Sequence, residues 1–225
     1  MTSRVTHLLP RSITVLVARG QSGHSARLSP LAQNAPRRTF LNLGSLLPDP
    51  AKLTRPQEYT EQQILPFSPA QVYKVVADVD RYSAFVPWCA RSAYHRRPTA
   101  TIRPCSVPEA KGVSVRHIVD QADLEVGFQA FKERYTSIVT QEEPWRVEAV
   151  SRQSDLFRLL RTNWEFVPYP LAKPDSQRCL VRFSIQFQFN SPIYAQVSGL
   201  FFDQVCKQMV NAFKQRCHDV YIRGK

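Results

Sequence analysis

The clearest pattern along the chain is a strict alternation of apolar and polar residues between Val181 and Phe189. Alternation over that length predicts an antiparallel β-strand with one buried face and one face in water. Less regular strand patterns occupy residues 57–65, 91–97, 113–141, 145–150 and 162–166, and the 113–141 segment is interpreted as two strands joined near Gly127. The apolar positions of the clearest strand are Val181, Phe183, Ile185, Phe187 and Phe189.

A helix is predicted to begin at Ser68, which precedes a proline at the first helical position. Gln71, three residues later, completes a capping box, in which each of the two side chains hydrogen-bonds the other residue's backbone. The stripe that follows has the i, i+3, i+4, i+7 spacing of a short amphipathic helix, and its residues are Val72, Val75, Val76 and Val79. Residues 82–88 are then too apolar and aromatic for an exposed connection, which predicts a loop that buries itself.

A second, longer helix is predicted from Ser191–Pro192, which repeats the capping signal, to about Ile222. The order of elements is then strand, helix, several antiparallel strands and a long helix. Because only the long helix can cover one face of such a sheet, an α+β fold is predicted. Residues 98–111 and 169–177 contain prolines without a clear period and are predicted to be loops. The inward stripe of the long helix is predicted to be Val205, Met209, Ala212, Phe213 and Val220, widened by Phe201 and Phe202.

An ordered set of short motifs resembles the mitochondrial coenzyme Q-binding proteins, a branch of the START-like (helix-grip) superfamily that includes polyketide cyclases. The most specific motif is Phe85-Val86-Pro87-Trp88-Cys89, and the likeness runs in order from about Glu58 to the C-terminus. The other matching pieces are 64–68, 76–79 with Tyr82, 124–128, 133–135, 164–166, 201–203 and 209–210.

This resemblance implies a curved antiparallel sheet wrapped around the C-terminal helix, with a hydrophobic tunnel between them. It implies ubiquinone as the ligand, held by its isoprenoid tail with the quinone ring near the mouth of the tunnel. The same side chains are suited to packing a core, so both roles remain open for each of them. The predicted ligand-binding residues are Tyr82, Phe85, Val86, Pro87, Trp88, Leu124, Val126, Phe128, Trp164, Phe166, Phe183, Phe187, Phe201, Phe202, Val205, Met209 and Phe213.

The N-terminal segment has the composition of a mitochondrial transit peptide, because it is rich in Arg, Ser and Thr and has no acidic residue before Asp49. Arg38-Thr39-Phe40 resembles the processing site of the matrix peptidase. The predicted organisation is therefore a disordered transit peptide at 1–40, a linker at 41–56 and the START-like domain at 57–225. A disordered basic arm is the alternative interpretation of the N-terminal segment.

The charge balance bears on the partners of the chain. The net charge is +12, and the six arginines of the N-terminal segment account for half of it, so the remaining chain is still basic. A basic surface suits peripheral contact with the anionic inner mitochondrial membrane, on the matrix side, and a respiratory complex is a further expected partner. Nucleic acid would also suit the charge, but no RNA-binding motif is present, so none is expected.

The sequence contains no motif for nucleophilic catalysis, phosphate binding or dinucleotide binding, and a non-catalytic protein without a cofactor is predicted. The five cysteines are odd in number and lack a C-x-x-C pair, so no metal site is expected and small buried side chains are predicted. Two alternatives stay open: an accessory or cyclase-like enzyme of ubiquinone biosynthesis, and a ribosome-associated START-like protein. The only acid, base or charged candidates for the enzyme are Asp203, Glu133, Arg134 and His117.

Overall fold

The computed structural model describes residues 56–128, 131–151, 154–155, 157–171, 173, 176–190 and 202–224, with the backbone alone for Phe128 and Phe131. These residues all belong to one unit of the chain, Asn42–Lys225. The described part contains two α-helices, α1 (Pro69–Ala77) and α2 (Phe202–Tyr221). The strands are β1 (Gln57–Leu65), β2 (Cys89–Tyr94), β3 (Thr99–Pro104), β4 (Ser114–Phe128), β5 (Phe131–Glu143), β6 (Arg146–Ser151), β7 (Phe157–Pro168) and β8 (Cys179–Phe189).

The strands form one curved antiparallel sheet in the order β1-β8-β7-β6-β5-β4-β2, and β3 pairs with the first part of β4. Both helices pack on the same face of this sheet and share its main hydrophobic core. The predicted α+β, helix-grip architecture is therefore confirmed. The alternation in β8 has the predicted consequence, since Val181, Phe183, Ile185 and Phe187 are buried and the residues between them are half-exposed.

The predicted start of α1 is confirmed in its hydrogen bonds. Ser68 Oγ accepts a hydrogen bond from the Gln71 amide at 3.3 Å, and Gln71 Oε1 accepts one from the Ser68 amide at 2.8 Å. Val72, Val75 and Val76 are buried against the sheet. Val79, the fourth member of the predicted stripe, is also buried, although it begins a short 3-10 helix, Val79–Ala84.

The prediction of a loop at 98–111 is wrong for its first half, because residues 99–104 form β3 and pair with residues 114–119 of β4. Every side chain of β3 is exposed, so the strand has no buried face and no apolar alternation to reveal it. A short 3-10 helix, Pro108–Ala110, follows. The second predicted strand, 91–97, begins and ends earlier than expected, at Cys89 and Tyr94.

The long C-terminal helix is confirmed from Phe202 to Tyr221, and its predicted start at Ser191–Pro192 lies outside the described residues. The predicted inward stripe is partly wrong. The buried residues are Cys206, Val210, Phe213 and Cys217, and of these only Phe213 belongs to the predicted stripe. Val205 and Met209 are half-buried because they face an open cavity and not the sheet itself.

All five cysteines are free and buried, as predicted. Burial raises the pKa of the thiols of Cys179, Cys206 and Cys217 to about 12, so these thiols are protonated at neutral pH. Within the described residues, no group of three or more His, Cys, Asp and Glu side chains is arranged to hold a metal ion.

Candidate ligand-binding cavity

A cavity of about 380 Å³ lies between the sheet and α2. Its walls come from β4 to β8, from one side of α2 and from the segment that connects the 3-10 helix to β2. The lining residues Val139, Val147 and Trp164 are buried, and we call their end of the cavity the inner end. The lining residues Gly127, Phe157 and Phe202 are half-exposed, and their end is called the mouth.

The segment 82–89 closes one side of the cavity, and hydrogen bonds and a ring contact hold it there. Tyr82 donates a hydrogen bond to the Val76 carbonyl oxygen, and its ring lies edge-on to Phe213, with centroids 5.1 Å apart. The Gly127 amide donates to the Trp88 carbonyl oxygen at 2.8 Å, which ties the segment to β4. Trp88 itself has a positive φ of 61°, a conformation that is unfavourable for a bulky residue and marks this turn as structurally constrained.

Most of the residues that the sequence predicts as ligand-binding are brought together around this cavity. They lie on five different parts of the chain, namely the segment 82–88, three strands and α2, and the fold brings them together in the wall of one cavity. The predicted residues that line the cavity are Tyr82, Val86, Pro87, Trp88, Leu124, Val126, Trp164, Phe187, Phe202, Val205, Met209 and Phe213.

Three predicted residues do not line the cavity, because other side chains cover them. Phe166 is fully buried beneath α1, where it packs edge-on against Tyr73. Phe183 is covered by Trp164, with ring centroids 4.4 Å apart. Phe85 packs on the outer side of Phe213 and under the Arg216 guanidinium. Phe201 and the side chain of Phe128 lie outside the described residues.

A further group of lining residues, mainly on the central strands, is not among those predicted from the sequence. Most of them are small or β-branched, and alternation along β5 could have found several, since they share a face with Tyr135 and Val139. The missed residues are Val79, Cys89, Gly127, Glu133, Tyr135, Ser137, Val139, Val147, Ala149, Phe157, Leu160, Thr162, Ile185, Phe189 and Cys206.

Polar groups in the wall are few, and they are concentrated on β5. Glu133, Tyr135 and Ser137 all line the cavity, and Thr162 lines it from β7. Burial raises the pKa of Tyr135 above its ordinary value, so the phenol remains protonated at physiological pH. The wall therefore offers hydroxyl groups within an otherwise apolar enclosure.

The four side chains considered for an enzyme do not converge on this cavity. Glu133 lines it, but the adjacent Arg134 points to the opposite face and forms an ion pair with Asp123 at 2.5 Å. Asp203 is exposed on the first turn of α2. His117 lies on β4 opposite Glu142 and is not part of the cavity wall.

No helix in the described part of the chain combines the length and the apolar character needed to cross a bilayer.

Comparison with known proteins places the chain in a family. The family model for polyketide cyclases/dehydrases and lipid transport proteins matches residues 65–214. The mitochondrial coenzyme Q-binding protein COQ10 homolog B of Xenopus laevis is 37% identical over 186 residues, which are 83% of this chain and 66% of the frog protein. The chain thus spans just under two thirds of that relative's length.

Two further similarities are more distant. The ribosome association toxin RatA of Rickettsia prowazekii is 24% identical over 162 residues, which are 72% of this chain and 97% of the toxin. Among solved structures, the Zhui aromatase/cyclase of a Streptomyces species has a TM-score of 0.55 at 11% identity, covering 76% of this chain and 99% of that chain. This last likeness concerns the fold alone. The chain belongs to the polyketide cyclase/dehydrase and lipid transport family, has its START-like fold, and is a homologue of the mitochondrial coenzyme Q-binding proteins.

Proposed function

We propose that this protein binds coenzyme Q (ubiquinone) in the cavity between the sheet and α2, and that it acts as a carrier or chaperone of the quinone. The observation that supports this most strongly is the apolar wall of the cavity, built from aromatic and aliphatic side chains of five strands and a helix. The homologous proteins whose names state coenzyme Q binding favour ubiquinone over other apolar ligands.

The size of the cavity sets how much of the ligand it holds. A volume of about 380 Å³ is near the low end of the roughly 300–1,000 Å³ typical of small-molecule sites. The cavity therefore suits the quinone ring and the first isoprene units. The remainder of a long tail would leave through the mouth, along the half-exposed side chains of Phe202 and Val205.

A carrier must release its ligand, and the energetics allow this. Burial of each CH₂ group contributes about 0.8 kcal/mol relative to water. The bilayer offers the same gain, so the protein has only to match the membrane for the part of the tail that it encloses. Exchange with the bilayer then requires no input of energy beyond thermal motion, provided that the mouth reaches the membrane surface.

We further propose that the protein works on the matrix side of the inner mitochondrial membrane, where it supplies quinone to the respiratory chain and supports efficient ubiquinone biosynthesis. Three exposed basic residues support the membrane contact: Arg158 adjoins Phe157 of the mouth, Arg91 pairs with Glu125 two residues from Gly127, and Lys207 lies on α2, which begins at Phe202. Positive charge at this end attracts the anionic lipid of the inner membrane. The N-terminal segment 1–40, as a transit peptide, would direct the chain to mitochondria.

A cavity-filling substitution tests the binding site directly. Ala149 lines the cavity, so Ala149→Phe should occupy the space of the ring and abolish binding of a short-tailed ubiquinone. The matched control is Ala100→Phe, on exposed strand β3, which should bind as the wild type does. Quenching of the cavity residues Trp88 and Trp164 by the quinone gives the readout. Equal binding by both variants would place the ligand elsewhere and contradict the proposal.

Two further experiments, one in cells and one on the purified protein, separate the two alternative functions. A cyclase-like enzyme is favoured if deletion of the protein in cells changes the identity of the quinone intermediates and not only respiration. A ribosome-associated protein, the function named in the RatA relative, is favoured by salt-sensitive retention of RNA. The carrier function predicts neither result.

A further inference from the structure

The cavity wall contains hydroxyl groups that an apolar enclosure does not require. Alternate residues of β5 point into the cavity, and among them are Tyr135 and Ser137. Ser151 of β6 stands directly opposite Ser137 in the strand pairing and therefore shares its face of the sheet. Thr162 of β7 also lines the cavity. It pairs with Ala149, in the row of the sheet that contains Val139 of the inner end. Ser137 and Ser151 thus share one row of the sheet, Thr162 lies in the neighbouring row, and Tyr135 lies two residues from Ser137 along β5.

One of these hydroxyls has no hydrogen-bond partner among the described residues, and the other three belong to side chains of the cavity wall. The Oγ of Ser151 is buried without a partner, and Ser151 is only 1% exposed. Ser137 is 2% exposed and lines the cavity, as do Tyr135 and Thr162, so three hydroxyl-bearing side chains belong to a wall that is otherwise almost entirely apolar. Buried polar groups in proteins are nearly always satisfied, so hydroxyls on an apolar cavity wall point to a bound ligand with polar atoms.

Tyr135 is an exception among the tyrosines that are buried or half-buried in the described part of the chain. The Tyr73 hydroxyl donates to Gln141 Oε1 at 2.7 Å, and the hydroxyls of Tyr94 and Tyr221 donate to the carbonyl oxygens of Ala77 and Gln71, both at 3.0 Å. Tyr59 and Tyr82 are also bonded. Tyr135 makes only a ring contact, with Phe157 at 5.8 Å between centroids.

We propose that Tyr135, together with Ser137 and Thr162, forms a subsite for the ring of a quinone, in which the Tyr135 hydroxyl donates a hydrogen bond to a ring carbonyl oxygen. This inference rests on the proposed function and specifies the placement of the ligand. The carbonyl and methoxy oxygens of ubiquinone are acceptors, and they match hydroxyl donors. Ser137 is only 2% exposed and Tyr135 contacts Phe157 of the mouth, so the subsite places the ring inside the cavity, next to its mouth.

The subsite gives the cavity a preference that apolar packing does not provide. A hydrocarbon of similar size fills the same space but leaves the hydroxyls unpaired, which costs binding free energy. A quinone satisfies them. The protein should therefore discriminate quinone-headed isoprenoids from plain isoprenoid hydrocarbons, and the removal of one hydroxyl should reduce that discrimination.

The test uses the full chain, a short-tailed ubiquinone labelled with ¹³C at the ring carbonyls, and squalene as the hydrocarbon. In the wild type, infrared spectra should show a ring-carbonyl band shifted to lower frequency by the hydrogen bond. In Tyr135→Phe, which removes one oxygen atom, the band should return to its position in hydrocarbon solvent. Affinity for ubiquinone should fall about 3- to 10-fold, the range expected for one hydrogen bond, whereas affinity for squalene should not fall.

Tyr221→Phe is the control, because the Tyr221 hydroxyl bonds to a backbone carbonyl outside the cavity. Ser137→Ala and Thr162→Val provide independent variants, each expected to lower the preference for quinone over squalene. Two results would overturn the subsite while leaving quinone binding intact. The first is an unshifted carbonyl band in the wild type. The second is a shifted band together with unchanged affinity in all three cavity variants. Absence of ubiquinone binding by the wild type overturns the proposed function and the subsite together.

Discussion

The ring of Trp164 on β7 packs against the ring of Phe213 on α2, with centroids 4.8 Å apart. Both residues line the cavity, and both are at most 5% exposed. This contact joins the sheet to the C-terminal helix at the inner end of the cavity. The position of α2, and hence the width of the cavity, depends on it.

Removal of this contact should destabilise the protein. Phe213→Ala is expected to lower the free energy of unfolding by about 3–5 kcal/mol, since it deletes a buried ring and enlarges an existing space. Urea denaturation monitored by circular dichroism gives the value. The adjacent Lys214, which is exposed on α2, supplies the control Lys214→Ala, with an expected change of about 0.5 kcal/mol or less. A similar loss in both variants would mean that Phe213 does not anchor the helix.

The capping box at the start of α1 provides a second prediction. Ser68→Ala removes the side-chain acceptor for the Gln71 amide and should cost about 1 kcal/mol of stability. Lys74→Ala, at an exposed position in the same helix, should change stability by a few tenths of a kcal/mol. Equal effects of the two substitutions would show that the cap contributes nothing to the fold.

Asp123 makes stability depend on pH. Its carboxylate accepts a hydrogen bond from Thr136 Oγ1 at 2.6 Å, and it also contacts Arg134 at 2.5 Å and His95 Nε2 at 3.0 Å. The pKa of Asp123 lies well below its usual range, chiefly because of the hydrogen bond from Thr136. Burial opposes this effect in part, and the Arg134 and His95 contacts assist it. Because the pKa is lower in the folded state, the stabilisation is complete above the ordinary pKa of about 4 and is lost as the pH falls below it.

Thr136→Val should therefore lower the free energy of unfolding by about 1 kcal/mol at pH 7, after allowance for the partial exposure of this cluster. The difference from the wild type should shrink as the pH falls from about 4 towards 2. Thr101→Val on exposed strand β3 serves as the control and should show no such pH dependence. A difference for Thr136→Val that is independent of pH would show that Asp123 is not responsible.

Membrane contact at the mouth gives a fourth prediction. Arg158→Gln and Lys207→Gln should each weaken binding to vesicles containing anionic lipid by about fivefold, since one basic residue near a membrane contributes about 1 kcal/mol. Arg103→Gln is the matched control, because Arg103 on β3 pairs with Val115, near the opposite end of β4 from Gly127. Vesicle sedimentation measures the binding. If Arg103→Gln weakens binding as much as the other two, the attraction is due to net charge and not to an oriented surface.

The elements that could be predicted from the sequence are those with a recognisable pattern of apolar, polar or capping residues within the element itself. The alternation in β8 and the Ser68–Gln71 capping box depend only on neighbouring residues, and both are present in the structure. Strand β3 could not be found in this way, because all its side chains are exposed and only the backbone of β4 holds it. Its position depends on a pairing partner that is ten to twenty residues away in the sequence.

The cavity wall could be predicted only in part, because lining and packing residues share one pattern. Phe183 and Phe187 lie on the same face of β8, yet Trp164 covers the first and the second faces the cavity. The difference arises from the placement of the other strands and of α2, which the sequence of β8 does not contain. The polar residue Ser137 was missed for a related reason, since its hydroxyl is significant only within an apolar enclosure.

The measurement that tests the central claim most directly is organic extraction of the full chain, purified from cells rich in ubiquinone, followed by mass spectrometry of the bound lipid. The wild type should contain ubiquinone in an amount that approaches one molecule per chain, and Ala149→Phe should contain none. Folded wild-type protein that carries only phospholipid, or no lipid, would contradict quinone binding.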